Sequence, residues 1–538
     1  MSRWNRYWFD EGGRTAAAVV RIAIAVAVLL SLQRLGTLSV LVAPAELYRP
    51  VGPWMLLGGL RPPDALIDVM WIVAWASSIA MLLGVATRAS TAISFATAMP
   101  LAAISFSGNA TWSHQYNVVF LAQLAFLGAR GGDTLSVDAW LRRRRGLPPI
   151  DEPRGYQWSL RLVQLAVALM FAGAAFYKLA QGGPLLRWAF SDNLRHQLLL
   201  RYDLAGLDRP AIVDWVLAEA WRYQTMAALN LVSQLMPLVA VIFARRPLVR
   251  AVAAGFFLVE VLALDVVVSL WNPAWLPLAA VFIDWDGLLR RLRREPPRPW
   301  PTRSKDEENP TPPRARRIFI LVFFVYELVT AFIPTLDQKL NTFPFSGFPM
   351  FSTMRVQKPY DEHRPFSIAA DHLQSLEHAV HVPAQRWLDG HHRGIFKERS
   401  QDRVRGKLAL ILSKAPSRYP DVTITGLRHY LAIFEVPAYP GPARFDRTLV
   451  GITGELRPDG VFRSLLGSLR GNTLTLKPTN LDATAATFAY YRDDVPTAIP
   501  VTPLRREGNT VELPPLPGSP VYVVAIVDGL PWLVASRK

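Results

Sequence analysis

Five side chains that can carry charge lie within or at the ends of long apolar stretches: His114, Lys178, Glu260, Asp265 and Glu327. A charge placed in hydrocarbon is expensive without a partner, so such residues mark candidate sites. Lys178 closes the segment Phe171-Ala-Gly-Ala-Ala-Phe-Tyr-Lys178. A lysine in a dry pocket is held toward its neutral form and can serve as a general base near neutral pH. A lysine at the edge of a span can equally extend its ammonium to the lipid headgroups, and the residues alone leave both readings open. His114 stands in Trp112-Ser113-His114-Gln115-Tyr116 at the start of another apolar run, and is expected at the same membrane depth as Lys178. Glu260 and Asp265 share one apolar helix, but five residues on a helix turn them about 140° apart, so they do not make one paired-carboxylate face. Helix–helix hydrogen bonding is the plain alternative for both, and for Glu327.

Outside these stretches, six of the nine histidines fall between His363 and His392, with His378-x-x-His381 near Asp371. That spacing matches no defined zinc signature, and no metal site is assigned. The chain has no cysteine, which excludes disulfides, CxxC redox centres, thiolate metal sites and cysteine nucleophiles. GxGxxG, a phosphate-binding loop, HExxH and a nucleophile elbow are absent.

The elements that must position these residues are membrane spans. Of the 538 residues, 51% are hydrophobic, and the long apolar runs crowd the first 335. A span needs about 20 apolar residues. The runs at 16–33, 64–86, 89–107, 115–130, 157–180, 223–244, 249–270, 274–289 and 317–335 predict an α-helical polytopic membrane bundle of about nine spans. The fourth and eighth runs are short, and the eighth contains Pro277. The first run is long enough to span and is followed by no clean cleavage site, so a cleavable signal peptide is not expected. The net charge of +17 sits mostly in short loops. Arg3, Arg6 and Arg14, then Arg88, the Arg142–Arg145 block, Arg245, Arg246 and Arg250, and the run from Arg290 to Arg317 all fall on one side if the N-terminus is cytoplasmic. Bilayer orientation thus accounts for the excess without a nucleic-acid partner. The longest outer loop, 181–222, carries Leu185-Leu186-Arg187-Trp188 and Leu198-Leu199-Leu200-Arg201-Tyr202 and is expected to lie at the membrane interface. Three domains follow: a bundle over 1–335, an extracytoplasmic mixed linker domain over 336–444, and a β-sandwich-like domain over 445–538. The last is read from short alternating runs separated by Gly and Pro. It is expected to pack on the outer face of the bundle through 340–360.

Several of these residues resemble a known family. Trp112-x-His114-x-Tyr116 followed by Asp133-Thr-Leu-Ser-Val-Asp138-Ala-Trp140-Leu, Ala172-Gly-Ala-Ala-Phe-Tyr-Lys178-Leu179, and Tyr326–Pro334 with Gly347-Phe-Pro-Met350-Phe-Ser are similar to stretches of vitamin K-dependent gamma-carboxylases and their bacterial HTTM-domain relatives. The chain departs from the family pattern at Ser113, at Tyr177 and at Gln181–Pro184. The resemblance implies a quinol-dependent lyase of the bacterial plasma membrane. Lys178 and His114 would be catalytic, and Tyr116, Tyr177, Glu260 and Phe348 would stand around the cofactor. The lysine would deprotonate a reduced naphthoquinone (vitamin K hydroquinone or menaquinol). Oxygen would then generate a base strong enough to abstract a glutamate γ-proton, and carbon dioxide would trap the carbanion. The expected partners are the lipid bilayer and a peptide or protein substrate on the outer side. The alternative is a non-enzymatic scaffold or transport-associated membrane protein.

Overall fold

The computed structural model describes residues 3–10, 12–36, 48, 50–58, 60–109, 114–150, 155–203, 209–294, 313–332, 360–369, 372–375, 401–418, 424–435, 439–443, 446–492, 495–518 and 521–537. The bundle begins with α1 (Arg3–Phe9) and α2 (Arg14–Gly36). The hairpin of α3 (Asp64–Leu83) and α4 (Thr87–Asn109) comes next, then the short α5 (Asn117–Ala125) and α6 (Val137–Arg144) and the long α7 (Gln157–Gly182). Two more short helices, α8 (Asn193–Asp203) and α9 (Ala211–Leu217), precede a second long hairpin, α10 (Ala220–Ile242) and α11 (Pro247–Val268); α12 (Trp285–Leu292) and α13 (Arg314–Phe332) follow.

Local sequence sets these boundaries. Pro63 precedes α3, and Gly84, at φ +71, closes it in the left-handed conformation. Pro247 occupies the first turn of α11, where its missing N–H leaves no gap in the ladder. The helix α7 is apolar all round and is accordingly buried along nearly its whole length, from Trp158 to Lys178. The other helices pack around it.

Among the described residues, six helices are long and apolar enough to cross a membrane: α2, α3, α4, α7, α10 and α11. Three further expected spans are not among these six. Run 115–130 yields only the nine-residue α5, which is interior to the bundle. Run 274–289 becomes a ten-residue 3₁₀ segment, Pro273–Phe282, followed by α12, because Pro277 interrupts the α-helical ladder. Run 317–335 becomes the 19-residue α13, whose start carries Arg314, Arg316 and Arg317.

The bundle has two chemically distinct ends. At one end, Arg21 of α2 is buried and donates to the carbonyls of Leu82, Gly131 and Leu135. Tyr7 donates to Val241 O, Arg161 to Ala244 O, and Arg250 to Phe282 O and Ile283 O. These bonds gather the starts of α2, α4, α7 and α11 and the ends of α3 and α10, and with them the arginines of the connecting turns. The C-terminal end of α7, with α8 and α9, lies at the other.

The C-terminal region is one curled, twelve-stranded sheet. A hairpin of β1 (Tyr360–Ala369) and β2 (His372–Ser375) pairs through β1 with β3 (Gly426–Glu435), and β3 pairs with β4 (Asp446–Leu456). The remaining strands are β5 (Phe462–Arg470), β6 (Thr473–Thr479), β7 (Thr487–Arg492), β8 (Val495–Val501), β9 (Arg505–Glu507), β10 (Thr510–Glu512), β11 (Val521–Val527) and β12 (Leu530–Arg537). Their order is β8-β7-β11-β12-β4-β5-β6-β10-β9. The sequence leads one to expect a sandwich of two layers. Instead β4 is shared: it pairs along β3, its Ile452 lies beside Trp532 of β12, and its last residues, Glu455 and Leu456, pair with β5. The sheet therefore bends round a core that includes Ile452, Leu474, Phe488, Val523 and Trp532. The helix α14 (Gln401–Arg418) packs on β3 and β4. Because β3 and β4 pair with each other, strands on both sides of the expected boundary at 445 belong to one sheet.

The turn 439–443 between β3 and β4 docks on the bundle. Arg195 of α8, fully buried, donates to Gly441 O and Pro442 O, each at 2.9 Å. Arg209 donates to Ala443 O at 2.8 Å. Tyr439 donates its N–H to Asp192 and its hydroxyl to Glu219, both at 3.1 Å. The contact expected through 340–360 falls, apart from Tyr360, outside the described residues.

Candidate functional site

Lys178 sits one turn from the end of α7, 1% exposed. Its Nζ donates to Asn230 Oδ1 at 2.6 Å and to Gln234 Oε1 at 3.0 Å. Asn230 and Gln234 are four residues apart on α10 and so share one face. Each turns its amide nitrogen the other way, to Glu260 Oε1 on α11, at 2.6 and 2.9 Å. The ends of this relay dictate the amide orientations. An ammonium only donates and a carboxylate only accepts, so each carboxamide must offer oxygen to Lys178 and nitrogen to Glu260. The two charges balance without touching, and three helices are joined by one polar quartet.

Three members of the quartet, Lys178, Asn230 and Glu260, form part of the wall of a cavity of about 140 Å³. The Trp188 ring lies over the lysine, with Nζ 4.5 Å from its centroid. From α8, Leu194, Gln197 and Leu198 make the roof, and Ser233 of α10 adds a hydroxyl. Leu229 of α10 and Val259 of α11 also border the cavity and are 49% and 60% exposed. The cavity thus reaches the apolar outer surface of the two long helices. A largely apolar pocket with a few convergent polar groups is the usual form of a small-molecule site.

The residues singled out from sequence fall into four groups. Lys178 and Glu260 are brought together, and the cavity borders both. Tyr116 and Tyr177 are buried in the bundle but are not cavity walls. Tyr116 packs on Phe106, with ring centroids 5.5 Å apart. Its neighbour Gln115 accepts from Trp275 Nε1 through its carbonyl at 2.7 Å, and Trp275 meets Phe171 of α7 edge-on at 5.3 Å. His114 begins the 3₁₀ turn His114–Tyr116, while its side chain, like the whole of Phe348, lies outside the described residues. Glu327 on α13 is buried and takes no part in the quartet, and Asp265 does not line the cavity. Among the described residues no cluster of potential metal ligands occurs.

Sequence reasoning missed Asn230, Gln234, Trp188 and Gln197. For the first two a signal existed: Asn230-x-x-x-Gln234 places two carboxamides on one face of an apolar span. Attention to charged residues alone passes over them. Trp188 and Gln197 belong to a connecting loop and a short helix, whose return over the lysine is a tertiary fact.

No family model, curated protein or solved structure matches the chain.

Proposed function

We propose that the protein is a multi-pass enzyme of the bacterial plasma membrane in which Lys178 acts as a base on a reduced quinone. In this reading the membrane domain has about nine crossings or partial crossings, a cytoplasmic N-terminus and an extracytoplasmic sheet domain. The observation that carries it is a buried lysine in the wall of a cavity whose rim meets the lipid-facing side of α10 and α11. A lipid-tailed substrate can approach from that side.

The residues suit such a molecule. A cavity near 150 Å³ takes a benzene-sized ring, so a quinol would seat its hydroxylated ring beside Lys178 and leave its tail between α10 and α11. When bound, a reduced naphthoquinone (vitamin K hydroquinone or menaquinol) would supply the oxygen-dependent generation of a strong base, with carbon dioxide consumed if a peptide or protein on the outer side is carboxylated. In its deprotonated form Lys178 Nζ takes a proton from a hydroxyl held at the cavity and so returns to the ammonium form that the quartet holds. The resulting ammonium is received by Asn230 Oδ1 and Gln234 Oε1 and, through them, by the charge on Glu260. Trp188 shuts bulk water away from Nζ. His114 supports the lysine in this scheme, and Tyr116, Tyr177 and Phe348 remain assigned to the cofactor surround on the family resemblance alone.

A second reading rests on the same quartet. Lys178, Asn230, Gln234 and Glu260 are bonded to one another, as in a clamp joining α7, α10 and α11 in a scaffold. Lys178→Arg separates the two. Arginine keeps the positive charge but does not give up its proton. With the full chain in nanodiscs, supplied with menaquinol and oxygen, quinol consumption should fall on the order of a hundredfold or more in Lys178→Arg and Lys178→Ala, while Lys178→Arg stays folded and inserted. Wild-type turnover by Lys178→Arg would remove the base from the mechanism. Absence of any quinol-dependent activity in the wild type, together with loss of folding in Lys178→Ala, would establish the clamp.

A further inference from the structure

The arginine-rich end of the bundle carries two short helices built on one plan. In α6, Asp138 is the only acidic residue, and it turns inward to cap the start of α4: its carboxylate accepts from Ala86 N, Thr87 N and Thr87 Oγ1, each at 2.8 Å. In α12, Asp286 is the only acidic residue, and it accepts from Ala16 N at the start of α2 at 3.1 Å. Each helix is thus fastened to the first turn of a long apolar helix by its one carboxylate. Arg21 of α2 bonds the carbonyls of Leu82 and Leu135, which flank α6, and Ala16 and Arg21 are about 7.5 Å apart along the axis. The two short helices therefore flank the same end of α2.

Once the carboxylates are turned in, the outward faces hold only cationic and apolar groups among the described residues. On and just beyond α6 these are Trp140, Leu141, Leu147 and the row Arg142–Arg145; on and beyond α12 they are Leu288, Leu292, Arg290, Arg291, Arg293 and Arg294. Neither helix has a buried residue. The guanidinium groups of Arg143, Arg145, Arg291 and Arg294 make no hydrogen bond or ion pair among the described residues, and Arg144 lies over the Trp140 ring at 4.2 Å. Leu288 and Leu292, four residues apart, form one apolar stripe with Arg291 beside it. Charge repulsion alone calls for no exposed Trp and Leu among the arginines. A surface meeting anionic headgroups above acyl chains calls for both, the leucines and tryptophan entering the chain boundary and the arginines reaching phosphate.

We propose that α6 and α12 together form a binding surface for anionic phospholipid headgroups on the arginine-rich side of the membrane. The surface lies at the opposite end of the bundle from the Lys178 cavity, and the proposal does not depend on what that cavity does.

The absence of cysteine allows a direct test on the full chain. Single cysteines at Leu141 and at Leu292 are labelled with an environment-sensitive fluorophore. The detergent-solubilised protein is then titrated with phosphatidylglycerol or phosphatidylcholine. Both labels should shift to the blue, with an apparent Kd for phosphatidylglycerol on the order of tenfold lower than for phosphatidylcholine, narrowing as salt is raised. The combined change Arg143→Gln, Arg145→Gln, Arg291→Gln and Arg294→Gln should abolish that preference, and the corresponding four lysine changes should keep it. The glutamine set removes only unpartnered, exposed guanidiniums; intact folding is confirmed by an unchanged circular dichroism melt. Equal affinity for the two lipids, a preference that survives the glutamine changes, or displacement by inorganic phosphate at matched ionic strength would each overturn the proposal.

Discussion

Two buried carboxylates in this protein are neutralised in opposite ways. Glu260 faces two carboxamides and reaches its counter-charge only through them. Glu455 of β4, 1% exposed, is surrounded directly by Arg428 at 2.7 Å, Arg457 at 3.2 Å and Arg463 at 3.6 Å. Burial pushes the Glu455 carboxyl up, but Arg428, with Arg457 and Arg463 behind it, outweighs burial and holds it below the ordinary carboxylate range. A carboxylate depressed by folding stabilises the fold above its unfolded pKa, and that stability is lost as pH falls through the folded value. Glu455→Gln should therefore destabilise the sheet by about 2 kcal/mol at neutral pH, toward the low side for a broken buried pair because Arg457 is half exposed. The difference between wild type and variant should shrink to nothing in acid, as followed by thermal melts across pH. A deficit that persists in acid would show that shape, not charge, fixes this position. At this scale the sequence discloses what stands out chemically. Lys178 and Glu260 were visible as charges among apolar residues, whereas their joining through Asn230 and Gln234 depends on how α7, α10 and α11 rotate against one another.

Among the elements, α8 is used on both sides. Leu194, Gln197 and Leu198 face the Lys178 cavity, while Arg195 reaches the turn 439–443 of the sheet domain. Any displacement of that turn bears on the cavity roof. Arg195→Met, which keeps much of the apolar stem and removes the two charged hydrogen bonds, should loosen both. Hydrogen exchange in α8 and around 439–443 should rise on the order of tenfold or more, by the worth of hydrogen bonds to a charged group. Unchanged exchange in both segments would show that the turn is held by Arg209, Asp192 and Glu219 without Arg195. The leucines and arginines of 181–222 were legible, although α8 buries Arg195 and His196 together with Leu198, Leu199 and Tyr202 and does not show the amphipathic segment expected. Its docking to a turn more than two hundred residues away was not legible, since neither Gly441 nor Pro442 offers a side chain that announces it. The short elements failed for a local reason: run 115–130 is apolar enough to suggest a span, yet only α5 of it is α-helical, preceded by a 3₁₀ turn.

At the scale of the molecule, the two-part division was plain from the crowding of apolar runs before residue 335, and the charge pattern put the arginines on one side. The structure gathers the arginine-bearing turns at one end of the bundle and docks the sheet domain at the other. This sets the topological prediction. In intact cells or oriented vesicles, a membrane-impermeant thiol reagent should label Ser468→Cys from outside and fail to reach Arg145→Cys; like labelling of both would contradict opposite sides. The curl of the sheet was hidden because it depends on one strand, β4, serving three neighbours, a long-range arrangement that alternating residues do not encode. That arrangement has a consequence for biosynthesis. Among the described strands β12 alone bridges β11 and β4, and it leaves the translating ribosome after both. Until Leu530–Arg537 has been delivered to whichever compartment receives the domain, β11 and β4 each present an open hydrogen-bonding edge, the kind of surface on which chains aggregate or chaperones take hold. A released chain truncated after Gly529 would therefore expose both edges.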